Sequence, residues 1–190
     1  LSLEEVQERV DRPGGCTLSE ILQPSDQIKP YVDVDYELPV AQFDSENTRL
    51  LPFWKDLLLP LCASADDLAI STRSIRDYKN ANGEYCTAGC TATLSKISYH
   101  FILNGFQCRA DLVGTYLSQF VGETGFDTQA HINYQGKQRV WTMVGTYKPR
   151  RGVPGGHGNE KLTALTHTDD LSKHLVHYSE AADLEAARDV

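Results

Sequence analysis

Residues Tyr31-Val32-Asp33-Val34-Asp35-Tyr36 constrain this chain more than any other stretch. Valine and aspartate alternate, and a β-strand sends successive side chains to opposite faces. A strand here buries Val32 and Val34 in a core while Asp33 and Asp35 stand side by side on the other face. Pro30 breaks the chain just before it, and Glu37 continues the acidic alternation. Acids on the wet face of an edge strand are common, so the pair makes a site only if other groups join it.

A second alternating stretch supplies such groups. In Lys96-Ile97-Ser98-Tyr99-His100-Phe101, Ile97, Tyr99 and Phe101 take one face of a strand. Lys96, Ser98 and His100 take the other. A cation, a hydroxyl and an imidazole in one row suit phosphate oxygens. A third carboxylate, Asp127, follows Gly125-Phe126, and Lys148 ends a later strand beside a basic loop. Three carboxylates gathered together repel one another unless a cation sits among them. Their oxygen ligands suit Mg²⁺ or Mn²⁺, and a pair of such ions activates a hydroxyl and stabilises a leaving pyrophosphate.

The rest of the chain reads as α+β. Residues 1–29 form a helical lead-in, with Thr17-Leu18-Ser19-Glu20 in capping-box order. Asn47 is placed to cap a helix carrying Leu50, Phe53, Trp54, Leu57, Leu58 and Leu61 at helical spacing, with Pro52 in its first turns. Strands are predicted at 68–73 and 94–103, the second closed by Asn104-Gly105. Asn82-Gly83 is a tight-turn candidate. A helix over 109–121 carries Leu112, Tyr116 and Phe120 on its apolar face, and Gly122–Gly125 is a loop delivering Asp127. Gln135-Gly136 reads as a hairpin turn between strands. Residues 149–159 read as a mobile basic loop. A strand near 161–166 leads to a helix from Asp169. Interleaved helices and hairpin-linked strands, with no repeated βαβ unit, predict a mostly antiparallel sheet covered by helices on one face. One domain spans 1–190, with its core over 30–178.

Composition narrows the function classes. The 190 residues carry a net charge of −8, which argues against a protein that coats nucleic acid non-specifically. It leaves room for local grips such as Arg73, Arg76, Arg150 and Arg151. No stretch approaches the roughly 20 apolar residues that span a bilayer, so no membrane role is expected. Five scattered cysteines predict an intracellular, reducing compartment; Cys86 and Cys90 have the spacing of half a zinc site without a matching second half. No phosphate-binding P-loop occurs. The missing initiator Met suggests a piece of a longer protein.

Together the three stretches resemble the archaeo-eukaryotic primase superfamily, and within it the primase-polymerases and the primase modules of large DNA viruses. The superfamily has a strand with two acids, a Ser-x-His strand and a later hydrophobic-Asp; Tyr31–Asp35, Ser98-Tyr99-His100 and Phe126-Asp127 are similar to these. Lys96 matches the primase-polymerase form. Residues 138–148 are similar to the segment that ends in a triphosphate-binding lysine, here Lys148. Thr142 stands where the family often has arginine. The resemblance spans residues 30–178. Asp35 with Glu37 is an alternative pair, although the lead-in through Tyr31 and Val32 fits Asp33 with Asp35 better.

The resemblance implies a two-lobed fold whose catalytic sheet is like an RNA-recognition motif. It implies a DNA primase or primase-polymerase that makes or extends primers on a single-stranded DNA template. Asp33, Asp35 and Asp127 would hold two Mg²⁺ or Mn²⁺ ions. Lys96, Ser98, His100 and Lys148 would bind the incoming ribo- or deoxyribonucleoside triphosphate. A helicase domain, if one exists, lies outside this segment. Two rival expectations stand beside it. One is a module of the same fold that binds nucleic acid without catalysis. The other is an Fe(II)-dependent oxygenase using His167 and Asp169 with His174 or His177.

Overall fold

The structure is a computed structural model that describes residues 2–12, 16, 18–86, 89–121, 130–131, 139–149 and 157–177. Asp127, Arg150, Arg151, the Gly122–Gly125 loop, Gln135-Gly136 and the chain from 178 onward lie outside the described residues. The chain opens with helix α1 (Leu3–Val10), then short strands β1 (Ser19–Leu22) and β2 (Gln27–Ile28) and the long strand β3 (Tyr31–Pro39). Helix α2 (Phe43–Leu58) follows, then β4 (Leu68–Thr72), β5 (Ile75–Lys79) and β6 (Leu94–Leu103). After β7 (Cys108–Arg109) come α3 (Val113–Val121), β8 (Ala130–His131), β9 (Arg139–Thr142), β10 (Tyr147–Pro149), β11 (His157–Lys161) and β12 (Thr163–Ala164). The class is α+β with antiparallel pairing.

The main sheet has six strands in the order β12-β4-β6-β3-β8, with β5 also on β6. β4 and β5 occupy successive stretches of the same β6 edge: Leu68–Thr72 pairs with Tyr99–Leu103, and Ile75 and Lys79 pair with Lys96 and Leu94. This makes β6 a central strand, and it is buried almost throughout its length. Helix α2 covers one face. Leu50, Trp54 and Leu58 point into the core, Trp54 stacks near Phe101, and its indole N–H donates to the Tyr36 hydroxyl. Each such side chain contributes about 1.5–3 kcal/mol on burial. Val32, Val34, Ile97, Tyr99 and Phe101 supply the sheet side of that core.

Residues 172–177 are tied back to earlier parts of the chain. The buried Lys29 ammonium donates to the Ser172 carbonyl, and the Asn104 amide donates to the Lys173 carbonyl. The Glu20 carboxylate accepts from the backbone amides of Val176 and His177.

Several local expectations need correction. Ser19–Leu22 is a strand paired with β9 rather than a helix start; the N-terminal capping box is formed by Ser2 and Glu5 instead. Glu20 serves a distant partner, which local spacing cannot reveal. Helix α2 starts at Phe43, led in by a 3-10 turn, so Asn47 is inside it and accepts from the Tyr99 hydroxyl. Pro52 is therefore an interior proline, not a first-turn one. The α3 region turns Ala110, Val113 and Leu117 inward, and Leu112 is exposed. Among the described residues on either side of 132–138, β8 pairs with β3 and β9 pairs with β1. Residues 157–161 belong to a strand paired with β10. After Asp169 a 3-10 turn, Leu171–His174, stands where a helix was expected.

Candidate metal and nucleotide site

The antiparallel register of β3 against β6 builds the site. Asp33 lies opposite His100, Asp35 opposite Ser98, and Glu37 opposite Lys96. Residues directly opposite on an antiparallel pair project from the same face. The two aspartates, the serine hydroxyl, the imidazole and the Lys96 stem therefore share one face, and α2 covers the other. Val32 and Val34 are fully buried on the α2 side, so a slip of one residue would put both carboxylates into the core. The packing fixes the register, and the register fixes the site.

Each acid faces a base. His100 Nε2 lies 3.4 Å from Asp33 Oδ1, and Lys96 Nζ lies 2.9 Å from Asp35 Oδ2. Glu37 is matched by Lys79 at 2.9 Å. Burial alone would raise the Asp35 pKa; the Lys96 ammonium, helped by the Ser98 hydroxyl and His100, holds it below the ordinary carboxylate value. The Lys96 pair uses Oδ2 of Asp35 and leaves its Oδ1 aside, whereas Asp33 Oδ1 is the oxygen that faces His100. Asp33 Oδ1 and Asp35 Oδ1 are both buried, and neither accepts a hydrogen bond from any described residue. Buried carboxylate oxygens that accept no hydrogen bond on one strand face are of the type a hard divalent cation takes, although such an ion needs several oxygen ligands. Among the described residues no group of three or more His, Cys, Asp or Glu side chains is gathered to hold a metal. The expected third acid, Asp127, is outside them.

Trp141, on β9, had no functional role in the sequence beyond its place beside Thr142. Its ring stacks on His100 at 4.3 Å between centroids and on Tyr31 at 4.3 Å. Its only sequence signal was an aromatic on a short strand shortly before Lys148.

Other candidates fall in different places. Lys148 stands on β10, paired with β11 rather than with the main sheet. Arg73 lies at the β4–β5 turn, where its backbone amide donates to the Ser98 carbonyl. Arg76 pairs with Asp44 and lies over the Phe43 ring, so its guanidinium serves the start of α2. Of the oxygenase candidates, His174 Nε2 bonds to the Thr166 carbonyl. His177 contacts Glu20 and Asp26 at 3.1 and 3.0 Å. The rings of His167 and His174 lie 6.4 Å apart between centroids, edge to face. Cys86 and Cys90 have their sulfurs 2.7 Å apart, and all five cysteines are free. Among the described residues no helix is long and apolar enough to cross a membrane.

No family model matches this chain, and no curated protein matches it.

Proposed function

We propose that this chain is a template-directed nucleotidyltransferase, a DNA primase or primase-polymerase of the archaeo-eukaryotic type. The observation that carries the reading is the placement of Asp33 and Asp35, each with a buried oxygen that accepts no hydrogen bond from a described residue, directly across the β3–β6 ladder from His100 and Ser98. The antiparallel sheet with α2 on the face opposite the acids supports a sheet of the RNA-recognition-motif kind, as one lobe of the two-lobed primase fold.

In this reading Asp33 and Asp35, with Asp127, hold Mg²⁺ or Mn²⁺. When bound, the ions supply charge stabilisation on the attacking and leaving oxygens. The remaining work is positioning and electrostatics, which is most of what phosphoryl and nucleotidyl transfer asks of a protein. The Ser98 hydroxyl donates to a phosphate oxygen. The His100 imidazole donates from the nitrogen that faces Asp33. Lys96 neutralises the triphosphate, and its present partner Asp35 is released as it does so. Lys148 adds a second ammonium. The partners are a single-stranded DNA template and a ribo- or deoxyribonucleoside triphosphate, with Arg73, Arg150 and Arg151 as grips on a strand and any helicase domain outside this segment. Such grips make template affinity fall as salt rises.

One observation favours a competing reading. The acids already have cross-strand bases in Lys96, His100 and Lys79, as a module that binds nucleic acid without catalysis would. A single assay separates the two. The protein is incubated with single-stranded template, labelled nucleotides and Mg²⁺ or Mn²⁺, with and without primer. Product whose sequence follows the template, reduced at least about 100-fold in D33N and D35N, supports the enzyme. Template binding with no incorporation under either metal supports the module.

A further inference from the structure

We propose that Trp141 is a positioning residue for nucleotide binding, acting through His100; this rests on the nucleotidyl-transfer reading above. The imidazole of His100 is held on two sides. Asp33 stands at Nε2, 3.4 Å away, and the Trp141 indole lies against the ring at 4.3 Å with a 36° tilt. Tyr31, on the same face of β3 as the acids, packs the indole from another side at 4.3 Å. His100 and Trp141 are each 5% exposed, so the imidazole cannot turn without displacing the indole.

The indole is itself braced from outside the main sheet. Trp141 lies opposite Glu20 in the β1–β9 ladder, and the Glu20 carboxylate is fixed by the amides of Val176 and His177. A continuous set of contacts thus runs from the chain's C-terminal segment through Glu20 and Trp141 to His100 and Asp33. A flat aromatic surface sets the plane of the imidazole, which an aliphatic side chain of similar bulk does not do. Orientation of that ring decides whether its N–H meets a phosphate oxygen, and small misplacements in a reacting assembly cost large factors.

The test compares W141L and W141F with the wild type in the full chain. Three quantities are measured: nucleotide KM and kcat in templated incorporation, affinity for single-stranded template, and tryptophan emission as nucleoside triphosphate is added with Mn²⁺. W141L is expected to raise nucleotide KM about tenfold, with template affinity unchanged and kcat within about threefold. W141F keeps the flat surface and restores KM to within about threefold of wild type. Nucleotide changes wild-type emission, and that change vanishes in W141F, which still binds nucleotide. A folded W141L with wild-type nucleotide KM overturns the proposal. So does a loss of melting temperature shared by W141L and W141F with KM unchanged, which marks Trp141 as packing alone. Failure of the wild type to bind any nucleoside triphosphate overturns the underlying function as well, and so is told apart from failure of the positioning role.

Discussion

Replacing Lys96 with methionine isolates the electrostatic problem at the centre of the site. In the wild type the Lys96 ammonium lies 2.9 Å from Asp35, with side-chain exposures of 15% and 28%. An exposed ion pair contributes about 0–1 kcal/mol, whereas removing one partner of a buried pair costs about 3–5 kcal/mol, because a charge is left without a counter-ion. The partial burial here puts K96M between these, at about 2 kcal/mol of lost stability. For a domain of this size that is a fall in melting temperature of about 4–8 °C. If Asp33 and Asp35 hold a cation, metal replaces the missing ammonium. Mn²⁺ at about ten times its Kd returns about 1.4 kcal/mol, or about 3–6 °C. The wild type gains less, because Lys96 competes for the same carboxylate. The assay is thermal denaturation with and without Mn²⁺ for wild type, K96M, D35N and K96M/D35N. D35N in the K96M background removes the orphaned charge, so the two substitutions together should cost less than their sum. Additive losses would show that K96M leaves no uncompensated charge on Asp35, and a K96M that Mn²⁺ does not stabilise more than wild type would show that Asp35 does not take the cation.

Further outcomes follow from other parts of the fold. His177 sits between Glu20 and Asp26; burial lowers its pKa, but hydrogen bonds and charge from the two carboxylates outweigh this and raise it above the ordinary value of 6.5. Because the folded pKa is the higher one, the stabilisation is full below pH 6.5 and is lost as pH rises through the folded value. Denaturant melts at several pH values should show this decline, and H177Q should flatten it. Gly145 has φ +81°, and an added Cβ would run into Val10 Cγ1 on α1. G145A should therefore cost more than the about 1–2 kcal/mol of a left-handed non-glycine residue. V10A should recover the clash but not the backbone part; strictly additive losses on denaturation would show that the two do not touch. Removing Leu58, fully buried on α2, should cost about 2–5 kcal/mol as L58A. A change under about 1 kcal/mol in a denaturant melt would mean that α2 does not cover the sheet.

Where one face of an element is apolar and the other is not, the chain announces its structure. Val32/Val34 against Asp33/Asp35, and Ile97/Tyr99/Phe101 against Ser98/His100, made β3 and β6 legible as strands, with the two aspartates sharing one face of the first and the serine and histidine one face of the second. Leu50, Trp54 and Leu58 did the same for α2. The cross-strand register was not legible, because it depends on which residues meet across a long connection. Lys96 looked like a cation waiting for phosphate, and its contact with Asp35 emerges only from that register. β5 was hidden for a similar reason: Arg73 and Arg76 read as local grips on nucleic acid, yet the neighbouring Lys79 meets Glu37 and the strand completes the β6 edge. Glu20 looked like half of a capping box because Thr17 precedes it by three residues. Its true partners, Val176 and His177, come from the far end of the chain. Trp141 fell between these cases, an aromatic whose importance lies wholly in touching Tyr31 and His100.

In the proposed function Asp33 and Asp35 together bind divalent cations, which electron paramagnetic resonance of Mn²⁺ measures. Titrating Mn²⁺ into the protein should remove the sharp signal of the free ion, with a second equivalent taken up when nucleoside triphosphate is present. D33N and D35N should each leave the free-ion signal at its protein-free intensity while the fold is retained. Uptake that is the same in wild type and both variants, or no uptake by wild type at millimolar Mn²⁺, would contradict the account.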